Sequence, residues 1–289
     1  MQVIENDFLK VTIKTKGAEL SGLQHKQTGI EYMWQADPAF WGKHSPVLFP
    51  VVGALKNNGF LFQGKEYPLG RHGFARDMDF SVAEANGNSV TFRLEASDAT
   101  LSIFPFAFRF DITYLLNADM LTVTYDVINT GGKELFFSVG GHPAFRVPLE
   151  AGLAYENYYL EFDEEENVGR WPISPEGLIE KAPLPFFNHY GRVPLTKSLF
   201  YRDALVFKYL RSSSVSLRSD KGSAGITVDI GEFPYLGIWA AKNADFVCIE
   251  PWCGTADSVE ADRQIIHKEG INRLMPGNTF NRAWSVHCF

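Results

Sequence analysis

The 289-residue sequence has no block of lysine and arginine, and its formal charge is −7. Nucleic-acid binding needs clustered positive charge to displace counterions from phosphates, so no nucleic-acid partner is expected. Nowhere do about 18 apolar residues run together, so no membrane helix is expected either. The opening MQVIENDFLKV has neither the basic start nor the apolar run of a secretory leader. These absences predict a soluble, cytoplasmic protein. The three cysteines, Cys248, Cys253 and Cys288, are odd in number and form no C-x-x-C pair. They read as free thiols in a reducing compartment, not as a disulfide framework or a zinc knuckle.

Several catalytic signatures are missing too. No G-x-G-x-x-G or P-loop offers a nucleotide cradle, no H-E-x-x-H offers a zinc site, and no G-x-S-x-G offers a nucleophile elbow. No metal is expected. Helical periodicity is scarce, because the two best candidates, residues 37–41 and 257–267, are short or polar and lie near turn formers. Without strand–helix alternation there is no doubly wound sheet.

What the chain does have is period-two alternation. Leu9, Val11 and Ile13 alternate with Lys10, Thr12 and Lys14, and the pattern returns at Val90-x-Phe92-x-Leu94, Phe108-x-Phe110-x-Ile112-x-Tyr114, Leu121-x-Val123-x-Tyr125-x-Val127 and Val215-x-Leu217. Such segments are strands with one buried and one wet face, and 24 phenylalanines supply apolar surface for a thick core. The expected class is all-β, a large antiparallel β-sandwich. Such folds fill roughly 200 to 250 residues as one unit, so residues 1–289 are expected to form a single domain. The proline-containing stretch 171–194 reads as a long surface excursion within it.

Five segments break the strand pattern with ionisable residues or turn formers: WGKHSPVLFP (41–50), GRHGFARDMDF (70–80), GGHPAF (140–145), RDALVF (202–207) and CIEPWCGTAD (248–257). Glu250 follows the apolar run Phe246-Val247-Cys248-Ile249 and precedes Pro251, where a buried strand would leave its sheet. Desolvation there raises a carboxyl pKa toward values useful to a general base; a salt bridge to an arginine is the alternative. His142 carries the side chain that titrates nearest neutrality. The two glycines before it are expected to let the chain bend sharply, and Pro143 biases it toward extended conformations. A satisfied structural histidine is the alternative. Arg71, His72 and Arg76 stand close together and can bind sugar hydroxyls or a phosphate, or else form a solvated loop with local Arg–Asp pairs. Trp239 and Trp252 can stack on a sugar ring or simply pack the core.

The segments WGKHSPVLFPVVGALKNNGF, RHGFARDMDF, GGHPAFRVPL, FPYLGIWA, CIEPWCGTAD and LMPGNTF, in that order, resemble the aldose 1-epimerase (galactose mutarotase-like) family, in particular its smaller LacX-like bacterial branch. The resemblance spans nearly the whole chain. It implies a mutarotase-type supersandwich and an isomerase of carbohydrate metabolism that interconverts the α and β anomers of a hexose with no cofactor. Carried over by motif, His142 is the general acid on the ring oxygen and Glu250 the general base on the anomeric hydroxyl. His72 helps position the ring-oxygen side, and Asp203 binds sugar hydroxyls. One departure stands out: many relatives have arginine after the glycine of FPVVG, where this chain has Ala54. The contact is then absent or comes from Arg71, Arg76 or Lys56.

Two other functions stay open at this stage. A hexose-6-phosphate 1-epimerase would use Arg71, Arg76 and Lys43 on the phosphate, and a non-catalytic carbohydrate-binding protein would keep the fold without the chemistry. The partner in each case is a small-molecule sugar.

Overall fold

The period-two segments all become strands. Met120–Asn129 is the clearest: its residues alternate between half-buried and buried, with Leu121, Val123, Tyr125 and Val127 turned inward. It pairs antiparallel with Phe108–Asn117 on one side and Thr279–Cys288 on the other. The computed structural model, which describes residues 1–187 and 191–289, extends this centre into a nine-stranded sheet. Its order is Arg192–Pro194, Tyr158–Phe162, Ser214–Ser219, Ile226–Asp229, Thr279–Cys288, Met120–Asn129, Phe108–Asn117, Ser89–Glu95, Ser81–Ala85.

A second sheet runs Leu205–Lys208, Tyr235–Trp239, Phe246–Cys253, Val139–Gly141, Val47–Leu48, and Ala144–Arg146 also pairs with Phe246–Cys253. Every residue of Phe246–Cys253 is buried, which explains why that stretch reads as an apolar run and not as an alternation. The inner faces meet through rings: Phe49, just past Val47–Leu48, stacks on Phe110 of the large sheet with centroids 4.5 Å apart. The architecture is the expected all-β antiparallel sandwich, with a three-stranded sheet, Gln2–Glu5, Leu9–Ile13 and Leu20–His25, added to it.

The expected scarcity of helix holds, and neither of the two best candidate segments becomes an α-helix. Residues 37–41 form a turn, and within 257–267 only Ile265–His267 closes a short 3-10 turn. In both places an aspartate accepts from the N–H two residues on, Ala39 to Asp37 and Gln264 to Asp262, as an N-cap would, but no helix longer than one turn follows. The α-helix among the described residues is Asp98–Ile103, started by a reciprocal cap between Ser97 and Thr100. Among those residues no helix is long and apolar enough to cross a membrane. The three cysteines are buried and unpaired.

Gly140 and Gly141 also differ from expectation. They sit in the strand Val139–Gly141, and neither adopts a left-handed backbone, so they do not serve a sharp bend. What they provide is room. A Cβ on Gly140 would lie 2.7 Å from Trp252 Cδ1, and one on Gly141 would lie 2.9 Å from the Tyr125 hydroxyl. Rings from the two sheets close on this strand from both sides.

Candidate active site

His142 and Pro143 bridge two short strands that pair with the same neighbour. Gly140 faces Trp252 and Ala144 faces Cys248, so the register between them sets His142 across from Glu250. The Ile249 N–H donates to the Pro143 carbonyl at 3.3 Å and holds that register. His142 Nε2 consequently lies 3.4 Å from Glu250 Oε2. The two residues are 8% and 1% exposed. Trp41 stacks on the imidazole at 5.0 Å, while Trp239 and His72 meet it edge-on at 5.6 and 5.7 Å. The pair opens into a cavity of about 330 Å³, within the range of small-molecule sites.

Burial dominates the electrostatics. It pushes the His142 imidazole down to about 3, and the fields of Arg76 and Arg71 act the same way. Burial likewise raises the Glu250 carboxyl well above the usual range. The Trp252 indole offsets part of that rise, although neither Glu250 Oε2 nor Trp252 Nε1 completes a hydrogen bond of ordinary geometry. Each partner therefore favours its neutral form. His72 is also held neutral, by burial first and then by His142 and the two arginines. Its Nδ1 accepts from Gly53 N–H at 3.1 Å, which assigns its own proton to Nε2 and makes that nitrogen a donor.

The other expected residues come to the same cavity: Arg71, Arg76, Asp203 and Trp239 all line it. Arg71 Nη1 is 4.0 Å from Asp203 Oδ2, and Arg76 Nη2 donates to the Arg71 carbonyl at 2.9 Å. His72 and Asp203 both adopt left-handed backbone, with φ of 67° and 77°. Non-glycine residues take that conformation at a cost, which the surroundings must offset. At Asp203 the side chain helps, since its Oδ1 accepts from Ala204 N–H at 2.7 Å.

Residues 1–268 match the family model described as Aldose 1-epimerase. The chain belongs to the aldose 1-epimerase family. It is 35% identical over 292 aligned residues to the plasmid-encoded Protein LacX of Lactococcus lactis subsp. lactis, covering 98% of this chain and 97% of the relative. Among solved structures it is similar to the galactose mutarotase related enzyme of Lactobacillus acidophilus, with a TM-score of 0.95, 37% identity and coverage of 100% and 97%. It is also similar to a galactose mutarotase-like protein of Lactobacillus casei, with a TM-score of 0.91, 33% identity and full coverage of both chains.

Within this aldose 1-epimerase fold, the first part of the stretch 171–194, of which residues 188–190 lie outside the described residues, is not the surface excursion expected. Trp171 bridges to Val206, and Ile179 to Ser258, which folds the segment inward; Ile173, Gly177 and Ile179 then form one wall of the cavity. Trp41 was also missed as a wall residue, although it opens a segment singled out for other reasons. The Ala54 departure has a structural counterpart. Gly177 abuts both the Ala54 methyl and the Arg71 guanidinium, so Arg71 reaches toward the space beside Ala54. Lys56 is committed elsewhere, its Nζ donating to the carbonyls of Val259 and Ala261.

One trio among the described residues has metal-ligand spacing: ligand atoms of His142, Cys248 and Glu250 lie within 4.8 Å of one another. Burial, and then Glu250, hold the Cys248 thiol well above its usual range, so it gives up its proton reluctantly to a cation. The donor set fits proton transfer better than metal binding.

Proposed function

We propose that the protein is an aldose 1-epimerase that interconverts the α and β anomers of a hexose. Glu250 is the general base on the anomeric hydroxyl, and His142 is the general acid on the ring oxygen. The observation that carries this reading is the 3.4 Å approach of His142 Nε2 to Glu250 Oε2 in a shared cavity. The two oxygens of a hemiacetal are bonded to one carbon, so groups serving both must be neighbours, as these are.

Ring opening takes the proton from the anomeric hydroxyl and delivers another to the ring oxygen as the bond from that oxygen to C1 breaks. Rotation about C1–C2 presents the other face of the aldehyde, and closure runs both transfers in reverse. The cycle leaves the proton count of the pair unchanged. The imidazolium–carboxylate form that opens the ring and the neutral imidazole–carboxylic acid form that closes it differ by one proton at each group, exchanged through the two oxygens of the sugar. His72, neutral with Nε2–H as donor, positions the ring-oxygen side. Asp203, Arg71 and Arg76 bind hydroxyls, and Trp239 offers an aromatic wall. All the groups needed are side chains, so the step calls for no cofactor. The principal apolar core draws on residues from Ile4 to Cys288, which supports reading residues 1–289 as one domain.

Anomer exchange followed by NMR or polarimetry on freshly dissolved α-hexose tests this reading. Faster equilibration by the wild-type protein, lost in folded His142→Ala and Glu250→Gln, is expected. Binding of the sugar without faster exchange would instead identify a carbohydrate-binding protein on the same fold.

A further inference from the structure

Resting on the epimerase reading, we infer that Asp257 is a positioning residue: paired with Lys268 behind the cavity, it holds both His72 and the Ile179 wall in place. Asp257 closes the segment CIEPWCGTAD but does not line the cavity itself. Each of its four polar groups is committed. Oδ1 accepts from Lys268 Nζ at 2.8 Å, and Oδ2 accepts from Lys56 N–H at 2.9 Å. Its own N–H donates to the Ala54 carbonyl at 2.9 Å, and its carbonyl accepts from Ile179 N–H at 2.8 Å. One residue thus grips two separate walls. The first is the turn 53–56, held at Ala54 and Lys56. Gly53, with φ of 71°, packs so tightly there that a Cβ would fall 2.5 Å from the Ala256 methyl. Gly53 in turn exchanges two bonds with His72, donating to Nδ1 at 3.1 Å and accepting from the His72 N–H at 2.9 Å. The former bond sets the tautomer that leaves His72 Nε2–H as a donor. The second wall is Ile179, whose carbonyl also accepts from Val259 N–H at 3.0 Å.

The ion pair serves placement better than stability. The side chains of Lys268 and Asp257 are 3% and 4% exposed. Taking two charges out of water costs about as much as their attraction returns, so a packed apolar pair would hold the fold at least as well. An apolar pair could not, however, accept the Lys56 N–H. Lys268 Nζ also donates to the Thr255 carbonyl at 2.7 Å, which fixes the ammonium and, through it, the direction of the carboxylate. A shift of about 1 Å in a group that aligns the reacting atoms costs on the order of 10²-fold in rate, so a clamp remote from the sugar still governs turnover.

Removing one charge alone would leave the other buried and unpaired, so the test uses two double variants. Asp257→Asn with Lys268→Met removes both charges and keeps an oxygen for Lys56 N–H; Asp257→Ala with Lys268→Met removes that oxygen as well. The former should keep kcat/KM for anomer exchange within about threefold of wild type, and the latter should lose at least about tenfold, mainly in kcat. The ring 15N shifts of His72 should report protonated Nε2 and bare Nδ1 in wild type and the asparagine variant, and a tautomer mixture in the alanine variant. Two variants that agree in kcat/KM and in the His72 shifts, differing only in melting temperature, would overturn the inference and leave the epimerase reading standing. If the alanine variant does not fold, hydrogen exchange in wild type decides: the Lys56 and Ile179 amides should open together, and unrelated opening free energies would overturn the inference. No anomer exchange by wild type would overturn the epimerase reading, and the His72 shifts, which need no turnover, would still support or overturn the clamp.

Discussion

His142 Nε2 and Glu250 Oε2 face each other at 3.4 Å inside the sandwich, brought together by one antiparallel register although they lie far apart along the chain. Burial shifts the imidazole and the carboxyl in opposite directions, each toward its neutral form. The expected stability and pH dependence rest on that pairing.

Glu250 weakens the fold at neutral pH. Its folded-state pKa is raised by burial, so above about 4.5 the unfolded chain releases this proton while the fold retains it, and stability falls as pH rises through that window. Glu250→Gln removes the liability and keeps the shape. The variant should melt higher than wild type at pH 7 to 8, by on the order of 2 °C, in a thermal scan. An equal or lower melting temperature would indicate a carboxylate that is well solvated or paired.

The acid limb of the pH profile should be displaced. With the imidazole held down at about 3, the pair keeps a single proton through the region where a free histidine titrates. A plot of log kcat/KM against pH should therefore run level through 6.5 and fall only well below it, while the alkaline limb reports loss of the remaining proton from the pair. An acid limb centred near 6.5 would contradict the desolvated environment.

Asp203→Asn separates fold from binding. Asparagine tolerates the left-handed backbone at this position and still offers an oxygen to Ala204 N–H, so the melting temperature should stay within about 2 °C of wild type. Loss of the charge should raise KM for the sugar about tenfold, with a smaller change in kcat. An unchanged KM would remove Asp203 from the sugar site.

Gly177→Ala tests the cavity wall formed by residues 173–179. A Cβ there would fall 1.8 Å from Arg71 Nη2, on a backbone with φ of 82°, so both the guanidinium and the wall must shift. A stability loss of about 1 kcal/mol and a KM increase of about tenfold are expected from denaturation and steady-state kinetics. Wild-type kinetics in this variant would mean that Arg71 does not contact the sugar.

Much of the sandwich was legible, because strands such as Met120–Asn129 bury one face and expose the other, and that difference is written in the residues. The burial of Glu250 was legible from the apolar run before it, but its position was not: the strand does not leave the sheet there and runs on through Pro251 and Trp252 to Cys253, with Glu250 opposite Gly237. Its pairing with His142 was not legible either, because the register is set by contacts between strands remote in sequence. Tertiary packing hid the rest. The glycines at 140 and 141 yield space to Trp252 and Tyr125, rings that no local pattern connects to them. The six-residue helix Asp98–Ile103 is too short to show a period and rests on its cap. In residues 171–179 the prolines mask Ile173 and Ile179, which pair with each other and are held at the cavity by contacts remote in sequence, Trp171 to Val206 and Ile179 to Ser258.

The most direct measurement is NMR exchange between the anomers of a hexose and of its 6-phosphate, with wild type and Glu250→Gln at equal concentration and with folding confirmed by circular dichroism. Loss of about 10² to 10⁴ in rate with the fold retained is expected. Near-wild-type exchange in the folded variant would contradict the assignment of Glu250, and with it the two-group mechanism.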